Sequence, residues 1–301
     1  MNKYLITGAN GFVGSTLMSK LGDQATGAVR TAQSTSLENT KVIGDINSTT
    51  NWDACLENVD TVVHLAGIAS KSGYSSADYD EINHKATIKL AQDAMNLGVR
   101  RFIFISTIAV MGLSGSFDEE SGTNPQNDYA KSKLDAEHGL RKLLADSEME
   151  LVIIRPTLVY GKGATGNFAL LQKLIDRLPL LPFRLTKNKR SFISCENLAD
   201  LIIKCATHAD AAGEVFLASE GPGISTKDFT NAIAKGLDRS PIQAPFPSSL
   251  AKVLFALVKR PSMYSQLFED LEVRSTKLQD TIGWTAPLSM QQNMAKLKEI
   301  K

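Results

Sequence analysis

A short apolar segment near the start of the chain runs directly into three evenly spaced glycines. The segment Tyr4-Leu5-Ile6 is typical of a buried strand, and Gly8, Gly11 and Gly14 follow it as a helical pattern begins. Unpaired backbone amides and the positive end of the helix dipole make such a helix start a binding site for a diphosphate. Glycine allows a positive φ in the turn and a close approach of the backbone to an anion. The alternative is a structural turn that holds no ligand.

Strand and helix patterns alternate through the first half of the chain. Strands are predicted over 4–6, 25–29, 41–46, 61–65, 101–107, 151–155 and 215–218, and helices over 12–21, 78–97 and 129–144. Such alternation is typical of parallel strands joined by right-handed helical crossovers. The predicted fold is therefore α/β, with a doubly wound parallel sheet.

After residue 219 the pattern becomes helical and is punctuated by proline. Helices are predicted over 226–236, 247–258, 262–271 and 289–300. Together with the excursion 162–189, they predict a smaller, mainly helical substrate-binding lobe. The predicted division assigns 1–161 and 190–219 to a dinucleotide-binding domain, and 162–189 and 220–301 to the lobe. The apolar run from Leu250 to Val258 is expected to be buried by packing, with a membrane-surface face or a dimer face as alternatives.

Charge and cysteine content narrow the class of protein. The 301 residues contain 33 Lys plus Arg and 32 Asp plus Glu, so we expect neither nucleic acid nor a membrane as a main partner. Cys55, Cys195 and Cys205 lack metal-ligand spacing, which predicts core thiols in a reducing compartment and no bound metal. The first predicted strand begins almost at Met1, so a cytoplasmic protein is expected.

Polar residues follow the second and third predicted strands. The second strand ends at Arg30, a position where an acid favours NAD and an arginine can accept the phosphate of NADP. Arg30, with the hydroxyls of Thr31, Ser34 and Thr35, therefore favours NADP, and an ordinary solvated arginine is the alternative. Asp45 is placed to approach an adenine edge.

Two hydroxyls end the strand that begins at Arg101. Ligands of open parallel sheets lie beyond the carboxyl ends of the strands, so Ser106 and Thr107 are expected at the rim of the site that the glycine turn borders. The pair Ala66-Gly67 closes the preceding strand and offers another close approach of backbone to ligand. His64, inside that strand, is expected to be a hydrogen-bonded core histidine.

The next predicted helix carries a tyrosine and a lysine four residues apart. This spacing places Tyr129 and Lys133 on one helix face, one turn from each other. A nearby ammonium favours the phenolate and lowers the pKa of a tyrosine, which would make Tyr129 a proton acceptor or donor for an alcohol or ketone. In isolation, a surface or packing pair is the commoner explanation for this spacing.

In this context the sequence resembles the short-chain dehydrogenase/reductase superfamily, in particular its extended nucleotide-sugar epimerase/dehydratase branch. The segments that carry the resemblance are 7–14, 64–67, 106–107, Tyr129-x-x-x-Lys133, 155–161, 190–193 and 198–200, with a looser similarity at 282–284. They occur in the order typical of that family. The resemblance implies a Rossmann sheet, a nicotinamide cofactor (NAD or NADP, with NADP favoured by Arg30), a nucleotide-sugar substrate and a homodimer formed through the helices that carry Asn83 and Tyr129.

The resemblance also implies roles for individual residues. Tyr129 would be the acid/base, Lys133 its electrostatic partner, and Thr107 the hydroxyl that aligns the sugar oxygen. The implied cofactor contacts, besides Tyr129 and Lys133, are Gly8, Asn10, Gly11, Phe12, Val13, Gly14, Arg30, Asp45, Ile46, Leu65, Ala66, Gly67, Asn83, Pro156 and Tyr160. The implied substrate contacts are Ser106, Asn167, Phe168 and Arg190, with Arg190 meeting the diphosphate. A solvated surface is the alternative for Arg190.

Two departures from the family pattern bear on the reaction. Dehydratases of this branch place Asp-Glu after the catalytic threonine, whereas this chain has Ile108-Ala109, which disfavours dehydration. Arg30 replaces the acid that is usual where NAD is retained, which indicates exchange of NADPH. The leading hypothesis is an epimerase or oxidoreductase acting at C4 of a nucleotide sugar. The alternatives are an NADPH-dependent reductase of a UDP-4-keto-6-deoxy-N-acetylhexosamine and a non-catalytic NADP-binding sensor or assembly protein.

Overall fold

A seven-stranded parallel sheet forms the centre of the molecule. The computed structural model describes residues 3–31, 39–69, 73–257 and 261–298, so Ser34 and Thr35 lie outside the described residues. The strands are β1 (Tyr4–Thr7), β2 (Ala25–Val29), β3 (Thr40–Val42), β4 (Thr61–His64), β5 (Arg101–Ile105), β6 (Gly115–Phe117), β7 (Glu150–Pro156), β8 (Leu158–Tyr160), β9 (Leu180–Leu181), β10 (Phe192–Ser194), β11 (Val215–Ala218), β12 (Ile242–Gln243) and β13 (Leu271–Val273).

Helices cover both faces of this sheet and build most of the second lobe. They are α1 (Phe12–Leu21), α2 (Asp53–Leu56), α3 (Ser76–Tyr79), α4 (Ala86–Asn96), α5 (Asp128–Leu143), α6 (Gly166–Arg177), α7 (Cys195–Thr207), α8 (Thr226–Gly236), α9 (Ser248–Leu257), α10 (Pro261–Phe268), α11 (Lys277–Ile282) and α12 (Met290–Ala295). A π-helical segment, Asp80–Lys85, joins α3 to α4. Within the described ranges, none of the helices is long and apolar enough to cross a bilayer.

The strand order confirms the predicted doubly wound sheet. It runs β11-β7-β5-β4-β1-β2-β3, and every neighbouring pair is parallel. The chain leaves β1 towards β2 on one side and returns to β4 on the other. This reversal opens a crevice beyond the carboxyl ends of β1 and β4, which is where ligands of such sheets bind.

Alternate residues along the central strands pack into two separate layers. Ile6 and Ile103 face the layer that contains α1 and α7. Leu5 and Phe102 face the layer that contains α4 and α5. Because both faces are covered, the strands are apolar throughout, as the continuous apolar runs in the sequence predicted.

The second lobe has an aromatic core of its own. Phe168 and Phe183 come from the excursion 162–189, and Phe229 and Met294 come from the segment after residue 219. Tyr160 and Phe192, from the edges of the predicted dinucleotide-binding domain, complete the cluster; the rings of Phe192 and Phe229 stack with centroids 3.7 Å apart. The division into domains by residue number stays a prediction.

Three details differ from the predicted elements. Leu271, the predicted end of a helix, instead begins strand β13, which pairs with β6. Helix α11 and Trp284 pack into the sheet core, where the Trp284 indole donates to Asp200 at 2.8 Å. The expected burial of α9 is wrong: Leu250 and Leu257 are exposed, because α9 packs through its opposite face. Sequence periodicity located the helix but did not show which side the lobe would cover.

Candidate active site

The glycine turn has the geometry that a diphosphate site requires. Gly8 has φ +66°, and the Gly11 amide donates to the Gly8 carbonyl at 2.9 Å. A Cβ atom on Gly14 would lie 2.2 Å from that carbonyl oxygen. Helix α1 starts at Phe12 with Gly11 as its N-cap, and neither a side-chain cap nor an acidic residue occupies the first turn. The residues present therefore fit the diphosphate of a dinucleotide, since the first-turn amides and the dipole are available to an anion.

A buried hydrogen-bond chain joins the end of β1 to the end of β4. Thr7 Oγ1 accepts from the amides of Leu65 and Ala66 at 3.2 and 3.1 Å and lies 2.8 Å from His64 Nδ1. The Thr7 hydroxyl therefore donates to His64, whose Nε2 faces Thr87 Oγ1 at 2.9 Å. Burial, with a contribution from the Lys133 charge, lowers the pKa of His64 to about 3. His64 is a neutral core histidine, as expected.

Asn83 supports the loop after β4 from behind. Its Oδ1 accepts from the Ile68 amide at 2.7 Å, and its Nδ2 donates to the Ile68 carbonyl at 3.0 Å and to Ser132 Oγ at 3.1 Å. Contact between Asn83 and a cofactor stays a prediction; in the structure the Asn83 amide group is buried and is used by the loop and by α5. Gly67, in that loop, stays exposed at the crevice.

Thr107 and Tyr129 meet at the end of β5. The Asn127 side chain caps α5 by accepting from the Ala130 amide at 2.8 Å, which places Tyr129 in the first turn. Thr107 Oγ1 accepts from the Ala109 amide at 3.2 Å, so its proton is available to the Tyr129 oxygen. Burial raises the pKa of Tyr129, and the hydrogen bond with Thr107 opposes that rise. The structure thus brings together the two hydroxyls that the sequence predicted as partners.

Lys133 is buried beside this pair but bonds to the backbone. Its side chain is 5% exposed, its Nζ donates to the Ile105 carbonyl at 2.8 Å, and it lies 4.5 Å from the centroid of the Phe104 ring. Burial lowers the pKa of Lys133 to about 8, although Glu137 favours the charged form. Burial outweighs any lowering of the Tyr129 pKa by the Lys133 ammonium, so the expected net lowering is not observed.

Ser106 belongs to a buried charge network rather than to the substrate surface. Its hydroxyl donates to Glu137 at 2.5 Å, and the Arg155 guanidinium donates to both Glu137 oxygens at 3.0 and 2.6 Å. Contact of Ser106 with substrate stays a prediction, and Ser106 is 3% exposed in the structure. Sequence reasoning missed Glu137 and Arg155. The signal that could have identified Glu137 was its helical spacing, which places it one turn after Lys133.

Arg30 and Asp45 form an ion pair at the far end of the crevice. Arg30 Nε lies 2.8 Å from Asp45 Oδ1, and their side chains are 72% and 81% exposed. The prediction that Arg30 is simply solvated is therefore incomplete, because a partner carboxylate faces it. Ile46 follows Asp45 and is half-buried.

Tyr160 and Phe168 lie inside the lobe core. The Tyr160 ring is buried against Phe168 and Phe229, with centroids 5.8 and 5.7 Å away, and its hydroxyl donates to Glu220. Burial raises the pKa of Tyr160, and Glu220 adds to the rise. The roles predicted for Tyr160 at the nicotinamide and for Phe168 at the substrate stay predictions; both rings are enclosed by apolar neighbours in the structure. Glu220 was missed; it also accepts from the Ser194 amide at 2.8 Å.

The predicted substrate contacts Arg190 and Asn167 both bond to α10. Arg190 Nη1 donates to the carbonyls of Ser265 and Glu269 at 3.0 Å each, and Asn167 Nδ2 donates to Gln266 at 2.9 Å. The solvated-surface alternative for Arg190 is wrong, because its side chain is buried, which lowers the pKa of Arg190 to about 10. Contact with a diphosphate stays a prediction for Arg190.

The other predicted cofactor residues line the same edge of the sheet. Asn10 is exposed in the glycine turn, Phe12 and Val13 are half-buried at the start of α1, and Pro156 ends β7. Their contacts with a cofactor stay predictions. The hydroxyl pair of Thr107 and Tyr129 therefore lies at the same edge of the sheet as the anion-binding start of α1.

Comparisons with known proteins identify the family of the chain and agree with its fold. The model of the NAD dependent epimerase/dehydratase family matches residues 4–218. A UDP-glucose 4-epimerase of Vibrio cholerae is 38% identical over 301 residues, covering 96% of this chain and 92% of that protein. An N-acetyl-alpha-D-glucosaminyl-diphospho-ditrans,octacis-undecaprenol 4-epimerase of Escherichia coli O157:H7 is 28% identical over 249 residues, covering 81% and 75%. The structure of MoeE5 in complex with UDP-glucuronic acid and NAD superposes with a TM-score of 0.79 at 22% identity, covering 98% and 97%.

The fold and the site define a Rossmann-type enzyme of the extended short-chain dehydrogenase/reductase class. The chain belongs to the NAD dependent epimerase/dehydratase family. The family resemblance predicted from the sequence is therefore confirmed.

Proposed function

We propose that this protein is a nucleotide-sugar 4-epimerase in which Tyr129 is the acid/base. The observation that carries the proposal is the hydrogen bond between Tyr129 and Thr107 at the carboxyl end of β5, beside the buried Lys133 ammonium. The 38% identity to a UDP-glucose 4-epimerase supports a UDP-hexose as substrate.

The chain's own residues handle the proton. Thr107 holds the C4 hydroxyl of the sugar against the Tyr129 oxygen, which accepts the hydroxyl proton and later returns it. Because burial raises the pKa of Tyr129, the phenol is protonated at neutral pH and needs positive charge nearby to act as a base. Lys133 supplies that charge from the same helix face. NAD, when bound, supplies hydride acceptor and donor chemistry at the sugar carbon.

The turn, the loop after β4 and the pair Arg30–Asp45 would hold the cofactor. Gly8, Gly11 and Gly14 would receive the diphosphate on the first-turn amides of α1. Arg30 suggested a preference for NADP, but the Asp45 carboxylate pairs with Arg30 Nε and would repel the extra phosphate of NADP. We therefore propose NAD as the working cofactor, with Asp45 limiting the binding of NADP.

Incubation with UDP-sugars and 4-keto-UDP-sugars, with either NAD or NADPH, tests this function. Conversion of UDP-glucose to UDP-galactose without net change in nicotinamide absorbance supports the epimerase. Stoichiometric consumption of NADPH with a UDP-4-keto-6-deoxy-N-acetylhexosamine would support the reductase instead. Cofactor binding without conversion of any sugar would support a sensor or assembly role.

A second candidate keeps the C4 chemistry but changes the carrier of the sugar. The Escherichia coli relative acts, by its name, on a sugar attached to diphospho-undecaprenol. The exposed apolar face of α9, in the lobe that carries Asn167 and Arg190, favours such a lipid-linked substrate. Parallel assays with UDP-N-acetylglucosamine and with a short polyprenyl diphosphate sugar in detergent would separate the two candidates.

We also propose that the protein forms a homodimer through the helices that carry Asn83 and Tyr129, and that it is located in the cytoplasm. Sedimentation equilibrium of the purified chain measures the first. Fractionation of cells, with immunodetection of the chain, measures the second.

A further inference from the structure

Helix α9 carries its apolar stripe on its solvent side. Leu250, Val253, Leu254 and Leu257 recur at helical spacing and are 57%, 58%, 51% and 75% exposed. A surface helix ordinarily turns such a stripe towards the core and its polar residues towards water. The exposed stripe is therefore evidence of a partner surface.

The orientation of α9 is fixed by its other face. Ala251 is 1% exposed, and the Phe255 ring lies 6.3 Å from the ring of Phe268 in α10. Phe268 in turn lies 5.9 Å from Phe183, which follows β9. Small and aromatic side chains thus anchor α9 to the lobe core and leave the leucine stripe outside.

A neighbouring pair of short strands extends the apolar surface. β9 and β12 pair in parallel with Leu180 opposite Ile242, and both side chains are exposed. The Arg184 amide donates to the Ala244 carbonyl at 3.2 Å and continues the pairing. The segments 177–187 and 240–257, which comprise these strands and α9, are called the outer lobe face below.

The charged side chains within the two segments of the outer lobe face are all basic, and Asp176, which directly precedes them, is paired with Arg239 at 2.9 Å. The two segments contain four Lys or Arg residues and no Asp or Glu, against a net charge of +1 for the whole chain. The basic residues Arg177, Arg184, Lys187 and Lys252 are all exposed. Leucine-rich helical faces with flanking basic residues are typical of segments that lie in the interface of an anionic bilayer.

We propose that the outer lobe face docks on the surface of an anionic lipid bilayer. A second copy of the chain is a poorer occupant, because a two-fold contact would bring two positive faces together. The docking face is linked to the site: α9 packs on α10, and α10 accepts the hydrogen bonds of Asn167 and Arg190. Docking would therefore hold the substrate side of the lobe close to the membrane, whichever sugar carrier is used.

Co-sedimentation with extruded vesicles tests the proposal on the full chain. We expect binding to vesicles of phosphatidylethanolamine with phosphatidylglycerol, little binding to pure phosphatidylcholine, and loss of binding as salt rises. The variant Lys252→Gln should lower the partition coefficient about fivefold, since each basic residue near an anionic surface contributes about that factor. Leu254→Glu should lower it by more than about tenfold.

The matched control is Leu97→Glu, which changes an equally exposed leucine at the end of α4. Leu97→Glu should bind vesicles as the native chain does, and all variants should retain turnover of a soluble nucleotide sugar. Equal binding of Leu254→Glu and the native chain, or no sedimentation with anionic vesicles, would overturn the proposal. A concentration-dependent dimer that Leu254→Glu abolishes would also overturn it, in favour of a second copy. Because turnover is measured separately, failure of the proposed epimerase function is distinguishable from failure of docking.

Discussion

Lys133 Nζ donates to the Ile105 carbonyl at 2.8 Å, at the end of the strand that leads to the Thr107–Tyr129 pair. The ammonium therefore stabilises the rim of the site through the backbone. Its buried position keeps it on the same helix face as Tyr129, one turn away. An ammonium has three donors and acts on a phenolate through space, so Lys133 can serve the phenol while it keeps its bond to Ile105.

Replacement of Lys133 by methionine tests the burial of this charge. The pKa of Lys133 is about 8 in the folded protein, below its ordinary value of 10.5. Between pH 8 and pH 10.5 the unfolded chain therefore binds the Lys133 proton more readily than the folded chain does. The contribution of Lys133 to stability should therefore rise with pH from about 8 to about 10.5, by roughly 3 kcal/mol in total. Urea unfolding of the native chain and Lys133→Met at pH 7 and pH 10 measures the difference. A difference that does not change with pH would contradict the assignment.

The buried carboxylate of Glu137 should be costly to remove. Glu137→Gln leaves the Arg155 guanidinium without its charged partner, and we expect a loss of roughly 3–5 kcal/mol in the free energy of unfolding. The double variant Glu137→Gln/Arg155→Met should lose less than the sum of the two single losses. Glu148→Gln, at an exposed position, is the control and should change stability little. Additive losses would show that the two side chains do not interact.

The glycine turn should not accept a side chain at Gly14. A Cβ atom there would lie 2.2 Å from the Gly8 carbonyl oxygen and 2.9 Å from the Ala9 Cα. Gly14→Ala must displace the turn, so we expect a loss of about 1–3 kcal/mol in stability and weaker binding of NAD. Gly221→Ala is the control, because no atom lies within 4 Å of its added Cβ. Thermal denaturation and titration with NAD measure both; equal behaviour of the two variants would refute the packing argument.

Asp45 should set the discrimination between NAD and NADP. Asp45→Asn removes the carboxylate that faces Arg30 at 2.8 Å, and the guanidinium becomes available to the extra phosphate of NADP. We expect the ratio of the NADP to the NAD dissociation constant to fall severalfold at low salt. The double variant Arg30→Ala/Asp45→Asn should restore the original ratio. A ratio that Asp45→Asn leaves unchanged would exclude Arg30 as the phosphate ligand.

The sequence predicted the sheet and the positions of the main site residues because these depend on local patterns. Continuous apolar runs separated by amphipathic helices are sufficient to predict a doubly wound sheet, and the ends of its strands locate Thr107 and the glycine turn. The hydrogen bonding of His64 was also predictable, since a histidine inside a buried apolar strand needs partners for its ring nitrogens.

The remaining features depend on partners that are distant in sequence. Ser106 and Thr107 are adjacent, yet Ser106 faces Glu137 and Thr107 faces Tyr129 because side chains alternate at the end of β5. Arg190 occurs in a run of basic residues, a pattern that is typical of a solvated surface. Its side chain is nevertheless buried, because α10, which lies much later in the chain, packs against it. Pattern alone did not reveal these long-range contacts.

The central claim is that Tyr129 transfers the proton at the sugar C4 hydroxyl. Replacement of Tyr129 by phenylalanine removes the hydroxyl and keeps the ring, which packs 6.4 Å from the Tyr79 ring. We expect kcat for the conversion of UDP-glucose to UDP-galactose to fall about 10²–10⁴-fold, with NAD affinity within about twofold of the native value. Tyr74→Phe, at an exposed ring, is the control and should retain full activity. Native kcat in Tyr129→Phe would contradict the account.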